Sequence, residues 1–145
     1  MIFDHQGLFS DNQAITATAA STNVIDFGLA ETPYGGGNGQ SPDQGKGHKI
    51  PILVQVTETF DAATNDHTVT FALELDSTTT FTPDESIDLG TFAEADLVAG
   101  WQLPFDAIPK GVNLQYARLK YTVAGTGNFT AGKIKAGIVA AVQTN

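Results

Sequence analysis

At 145 residues, 41% of them apolar and 16% charged, the chain is long enough for one compact domain that buries roughly 70% of its unfolded-chain surface. Seven Lys and Arg against sixteen Asp and Glu leave a net charge of −9, which opposes a diffuse grip on nucleic acid or anionic lipid. No Cys occurs, so disulfide frameworks, thiolate zinc sites and thiol nucleophiles are excluded.

Residues Met1 to Phe9 include Ile2, Phe3, Leu8 and Phe9, a set too apolar for a free tail. They are expected either to mediate self-association or to fold back as an edge strand. The N-terminal region carries no Lys or Arg, and no apolar run approaches a membrane span, so a soluble chain without a secretory signal is expected. Gln13 to Ala17 and Asn23 to Phe27 read as weak strands. The stretch Ala30 to Lys49 holds Gly35, Gly36, Gly37, Gly39, Gly45 and Gly47 with no apolar period, which predicts a long Gly-rich loop at about 30–49. It fails as a phosphate cradle, because Gln40 and Gly47 stand where a Walker loop needs Gly and Ser or Thr.

Ile50, Ile52, Val54, Val56 and Phe60 share one parity, and Val69, Phe71, Leu73 and Leu75 share another beyond the polar turn Asp61 to Asp66. Each set gives a strand with a core face, and the pair is expected to form an antiparallel hairpin. Ile87 to Phe92 and Leu97 to Leu103 are weaker strand candidates. The capping-box spacings at Thr82 to Glu85 and Thr91 to Glu94 leave open a short helix between Pro83 and Ala99, stopped by Gly100. Val112, Leu114 and Tyr116 are even-numbered whereas Ala117, Leu119, Tyr121 and Val123 are odd-numbered, which predicts a bulge or sheet change near Tyr116. A final strand, Lys133 to Val142, turns Ile134, Ala136, Ile138, Ala140 and Val142 inward. About eight strands, with Thr, Val and Gly depressing helix propensity, predict a single all-β domain over 1–145: a jelly roll or two-sheet antiparallel sandwich.

Candidate chemistry is sparse. His5, His48 and His67 are isolated in sequence, and the acids Asp84, Glu85, Asp88, Glu94 and Asp96 lack the spacing of a calcium loop. No Gly-x-Ser-x-Gly elbow surrounds any Ser, and no metal, cofactor, small-molecule substrate or catalytic role is expected. Asn128-Phe129-Thr130 matches a glycosylation acceptor, an accidental match in a chain without a secretory signal. Charge is distributed unevenly: residues 1–109 carry two bases and all sixteen acids, a net −14, while Lys110, Arg118, Lys120, Lys133 and Lys135 give residues 110–145 a net +5. On alternating strands Arg118 and Lys120 share one outward face, as do Lys133 and Lys135. The expectation is a basic docking patch, unless folding interleaves the charges.

The runs Met1-Ile2-Phe3-Asp4 with Leu8 to Asp26, and Tyr116 to Val123 with Phe129 to Val139, resemble the two ends of the small capsid cement (decoration) proteins of tailed bacteriophages. That resemblance implies a jelly-roll protein, made in the host bacterial cytoplasm, that sits on the outer surface of the virion capsid. There it would bridge neighbouring major capsid protein subunits and stabilise the mature shell, commonly as an oligomer, with a dimer favoured and a trimer possible. Candidate interface residues are Ile2, Phe3, Leu8 and Phe9 in the arm, Tyr34, Trp101 and Phe105 as apolar anchors, and Arg118, Lys120, Lys133 and Lys135 as steering charges. No nucleic acid or membrane partner is expected. The alternative is a β-sandwich carbohydrate-binding module, with Trp101, Tyr34 and Tyr116 as stacking platforms, or a head-fibre or receptor-binding module.

Overall fold

The computed structural model describes residues 3–28 and 49–140. Ile2, Tyr34, Val142 and nearly all of the Gly-rich stretch lie outside those residues. Eight strands and one 3₁₀ turn follow in chain order: β1 (Phe3–Ala14), β2 (Ala19–Ala20), β3 (Ile25–Asp26), β4 (Ile52–Ala62), β5 (Thr68–Asp76), β6 (Glu85–Ala93), the 3₁₀ turn (Glu94–Asp96), β7 (Tyr116–Ala124) and β8 (Phe129–Val139). They form two antiparallel sheets, β1-β8-β4 and β2-β7-β5-β6, with β3 also paired to β7. The fold is the all-β, jelly-roll-like sandwich expected from the strand pattern.

Period-two alternation builds the core. Val69, Phe71, Leu73 and Leu75 of β5 and Leu119 and Tyr121 of β7 join Ile52, Val54 and Val56 of β4 and Ile134 and Ala136 of β8 in one cluster, all of them buried. Fully burying a side chain of this size contributes roughly 1.5–3 kcal/mol, so the cluster fixes which face of each strand points inward. Three aromatic contacts tighten it: Phe71 lies edge-on to Tyr121 at 5.7 Å and to Phe92 at 6.0 Å, and Phe60 to Phe129 at 4.9 Å.

Several local expectations are corrected. β4 and β5 do not form a hairpin: β4 pairs with β8, and β5 pairs with β6 and β7. Their core faces meet across the sandwich instead of lying side by side, and the turn between them changes sheets. The parity change at Tyr116 is no bulge within a strand, because β7 begins there and Val112 and Leu114 belong to the approach. The helix between Pro83 and Ala99 reduces to three residues of 3₁₀ turn after β6, and Gly100 follows with φ +94°. The N-cap position falls on Ala93, whose methyl group cannot accept a hydrogen bond, and the Glu94 carboxylate accepts one from the Ala62 N–H.

The strand expected at Leu97 to Leu103 is replaced by an irregular segment that runs along β4. Val56 N–H donates to the Trp101 carbonyl, Leu103 N–H to the Val54 carbonyl and Ile52 N–H to the Asp106 carbonyl. These bonds satisfy the outer edge of β4 without a regular ladder. In β8, Ile134 and Ala136 are buried as expected and Ile138 is half-buried, while Ala140 lies just past its end and is exposed. Gly137, on the other parity, is buried because β1 passes over it: a Cβ there would lie 2.8 Å from the Gly7 carbonyl oxygen and 3.0 Å from Leu8. β1 bends at this crossing, with shifts of register against β8 on both sides of Leu8.

Candidate docking surface

Folding interleaves the charges that the sequence keeps apart. Arg118 on β7 donates to the Glu74 carboxylate on β5 at 2.6 Å, because Glu74 and Arg118 stand opposite one another in the ladder. The Arg118 guanidinium also lies 4.2 Å from the centre of the Phe81 ring. On the other sheet Lys133 pairs with Glu58 and Lys135 with Asp11, the latter at 2.9 Å. Each pair joins a base of the C-terminal third to an acid of the N-terminal two thirds. The expected basic patch is therefore corrected: Arg118, Lys133 and Lys135 are neutralised within the chain. Lys120 stands half-buried beside Ala72 on the outer face of the second sheet.

The apolar candidates fare similarly. Phe9 is fully buried and Leu8 nearly so, since the first residues fold back as the outer strand of the first sheet. Phe3 is half-buried, with the Lys135 ammonium 5.3 Å from its ring centre. Trp101 rests on Phe92, ring centres 4.7 Å apart, and on Phe71 at 6.1 Å. Trp101 and Phe105 are half-buried and packed against the core. Tyr116 is half-buried, its hydroxyl accepting a hydrogen bond from Gln115 Nε2. Trp101 and Phe105 thus pack on the core with one part of their surface and keep the rest accessible. Among the described residues, the large apolar side chains that stand exposed are Val24 and Val98.

Among the described residues Lys110 and Lys120 make no ion pair, but along β6 and the turn after it the unpaired charge is all negative. Glu85 and Asp88 on β6 and Asp96 just beyond it are exposed, and none makes an ion pair among the described residues. Asp84 accepts only from the Ser77 N–H and hydroxyl, at 3.0 and 2.8 Å. Between Ser77 and Pro109 the sequence has no Lys or Arg. β6 is also the last strand of its sheet, hydrogen-bonded to β5 on one side. Sequence reading missed this edge because it counted acids without knowing which strands would be neighbours.

One titratable cluster is internal. His67 is buried, with Nδ1 2.9 Å from the Thr64 carbonyl, 3.2 Å from Asp66 Oδ1 and 3.8 Å from Glu94 Oε2. Nδ1 therefore carries the proton and donates to Thr64. That bond raises the His67 pKa against the opposing effect of burial, with Asp66 and Glu94 adding to the rise. Hydrogen bonds from Thr64 and Thr126 hold Asp66 down to about 2. Glu94 also lines a surface groove of about 260 Å³ with Phe60 and Val98. The hydrogen bonds from Ala62 N–H to the Glu94 carboxylate and from Glu94 N–H to the His67 carbonyl tie the β4–β5 turn to the end of β6, while His67 Nδ1 to Thr64 closes the turn on itself, so the cluster acts as a brace.

The model of a protein family described as Bbp16 matches residues 9–138. The match begins inside β1 and ends in β8, and so takes in both sheets. No curated protein matches the chain.

Proposed function

The chain belongs to the Bbp16 family, which is phage-associated, and we propose on that premise that it is a structural protein of the virion that binds the outer surface of the assembled capsid. In this role it bridges neighbouring major capsid protein subunits and stabilises the mature shell. The observation that carries the reading is the family match across both sheets. The sequence resemblance to capsid cement proteins supplies the finer role. A sandwich whose aromatics are spent on its own core and whose surface bears unpaired carboxylates suits a rigid clamp better than a carbohydrate-stacking module.

A protein that binds only the assembled shell stabilises that shell by mass action, by RT ln(1 + [L]/Kd) for each independent site. Self-association, which belongs to the same reading, would add avidity. It needs a surface other than Leu8 and Phe9, which lie inside the fold. The test is addition of the purified full chain to shells of its own phage prepared without it. Saturable, stoichiometric addition with a raised shell melting temperature is expected. Failure to co-sediment with those shells at micromolar concentration overturns the proposal.

A further inference from the structure

The two sheets end in four edges, β1 and β4 in the first and β2 with β3, and β6, in the second, and they differ in what already borders them. The outer edge of β4 is bonded to the segment from Leu97 to Ile108, β2 and β3 are two residues long each, and β1 is bonded at its middle by Asn23, whose N–H donates to the Phe9 carbonyl and whose side chain donates to the Leu8 carbonyl. β6 differs. It runs for nine residues, pairs with β5 through most of its length, and has no strand on its other side among the described residues.

Edge strands are commonly blunted by charged side chains, Lys above all, by Pro or by bulges, and a charged edge still admits a strand of the opposite sign. β6 has neither Lys nor Pro. Its one irregularity is the register shift between Asp88 and Gly90, where Asp88 Oδ1 accepts from the Gly90 N–H at 2.8 Å and Gly90 takes φ +123°. Glu85 and Asp88 are exposed along it without ion partners among the described residues, while three of the four bases expected to steer docking, Arg118, Lys133 and Lys135, are engaged elsewhere. A second copy of this chain is a poor occupant, because it would set two edges together that each carry Glu85 and Asp88 and neither of which carries a base.

We infer that the free edge of β6 takes up an extended, Lys- or Arg-bearing segment of a capsid subunit as an added strand. The inference rests on the capsid-binding reading and names the partner's chemistry. Main-chain hydrogen bonds to the edge provide the affinity, and Glu85 and Asp88 select and orient a basic strand over a neutral or acidic one. Ile87 and Leu89, half-buried on β6, give an incoming strand apolar neighbours at its rim.

The test follows amide hydrogen exchange over residues 85–93 in the full chain, free and on shells of its own phage prepared without it. A second arm uses a nine-residue peptide of alternating Lys and Val, with a Glu–Val analogue and a backbone N-methylated Lys–Val analogue as controls. Exchange over 85–93 is expected to slow at least about tenfold on shells and with the Lys–Val peptide, and to stay unchanged with either control. The double variant Glu85→Lys with Asp88→Lys should weaken both interactions about tenfold, and Glu85→Gln with Asp88→Asn, which keeps the acceptor for the Gly90 N–H, about threefold. Shell addition with unchanged exchange over 85–93 overturns the edge assignment and leaves capsid binding standing. Protection by the peptide without shell addition overturns capsid binding and retains the edge as a basic-strand site. Absence of both overturns both.

Discussion

The Tyr121 hydroxyl donates a hydrogen bond to the Ser10 hydroxyl, 2.8 Å away across the interior of the sandwich, and so joins the two sheets by their side chains. The direction follows from the Ser10 proton, which goes to Gln13 Oε1 at 2.7 Å. The same Gln13 oxygen accepts from the Thr22 N–H and hydroxyl, while Gln13 Nε2 donates to the Ala20 carbonyl. Tyr121→Phe is expected to destabilise the chain by about 1 kcal/mol, and Ser10→Ala by about 1–3 kcal/mol because it leaves a buried phenol without its acceptor. Urea unfolding of the two variants and their combination measures both terms. Burial also raises the Tyr121 pKa well above the ordinary phenol value, so its ionisation, followed by ultraviolet absorbance, should appear only with unfolding.

Gly132 has φ +136°, and a Cβ there would come within 2.6 Å of the Phe60 ring. Gly132→Ala is therefore expected to destabilise by about 2–4 kcal/mol, combining backbone strain with overpacking. Gly127, with φ +98° but open space around it, isolates the backbone contribution: Gly127→Ala should lose about 1 kcal/mol. Equal losses for the two variants in urea unfolding would remove packing against Phe60 from the explanation.

The Glu74–Arg118 pair is only 11% and 21% exposed at its side chains, which shields it from salt more than an ordinary surface pair. A double-mutant cycle with Glu74→Gln and Arg118→Met should give a coupling of about 1–2 kcal/mol that persists in 0.5 M salt. Arg118→Lys should recover only part of it, because an ammonium cannot both bond Glu74 through a planar fork and lie flat on Phe81.

Stability should depend on pH through two adjacent groups, Asp66 and His67, at the β5 end of the β4–β5 turn. The His67 pKa is raised by its bond to the Thr64 carbonyl, so the native state binds that proton more tightly than the unfolded chain. Its contribution is full below about pH 6.5 and is lost as pH rises through the higher folded value. Asp66, lowered to about 2 from 3.8 by Thr64 and Thr126, contributes above pH 3.8, and that contribution is lost as pH falls toward 2. Melting temperatures between pH 2 and 9 should show both limbs. His67→Gln should flatten the upper one and Asp66→Asn the lower.

Trp101→Ala should lower stability by about 2–4 kcal/mol, since it strips a half-buried indole from Phe92 and Phe71. Any loss of shell addition by this variant should track the unfolded fraction measured by circular dichroism and vanish at a temperature where the variant is fully folded. Persistent loss there would return Trp101 to the docking surface.

The strand faces were legible because alternation is a local property: Val69 to Leu75 and Leu119 to Tyr121 declare their buried side residue by residue. Strand partnership is not local. Nothing in Ile52 to Phe60 says that its neighbour is β8, more than seventy residues on, and not β5 across a five-residue turn. The same ignorance misplaced the charges, for Arg118 looks free until Glu74 is known to stand opposite it. The packing of Trp101 on Phe92 and Phe71 was not legible for a related reason, since the segment around it carries no period and is held by backbone bonds to β4. The candidate docking edge on β6 became visible only when the order of strands in the second sheet was known.

The pairing of β8 between β1 and β4 bears on biosynthesis. The centre of the first sheet is the last of the described strands to leave the ribosome. Until it emerges, β1 and β4 have no common partner and their apolar faces have no sheet to complete. The second sheet, whose β5, β6 and β7 are all made earlier, can collect first. A nascent chain arrested before Phe129 should therefore resist protease over β5 to β7 while β1 and β4 are still cut, so that the sandwich closes only with the arrival of its final strand.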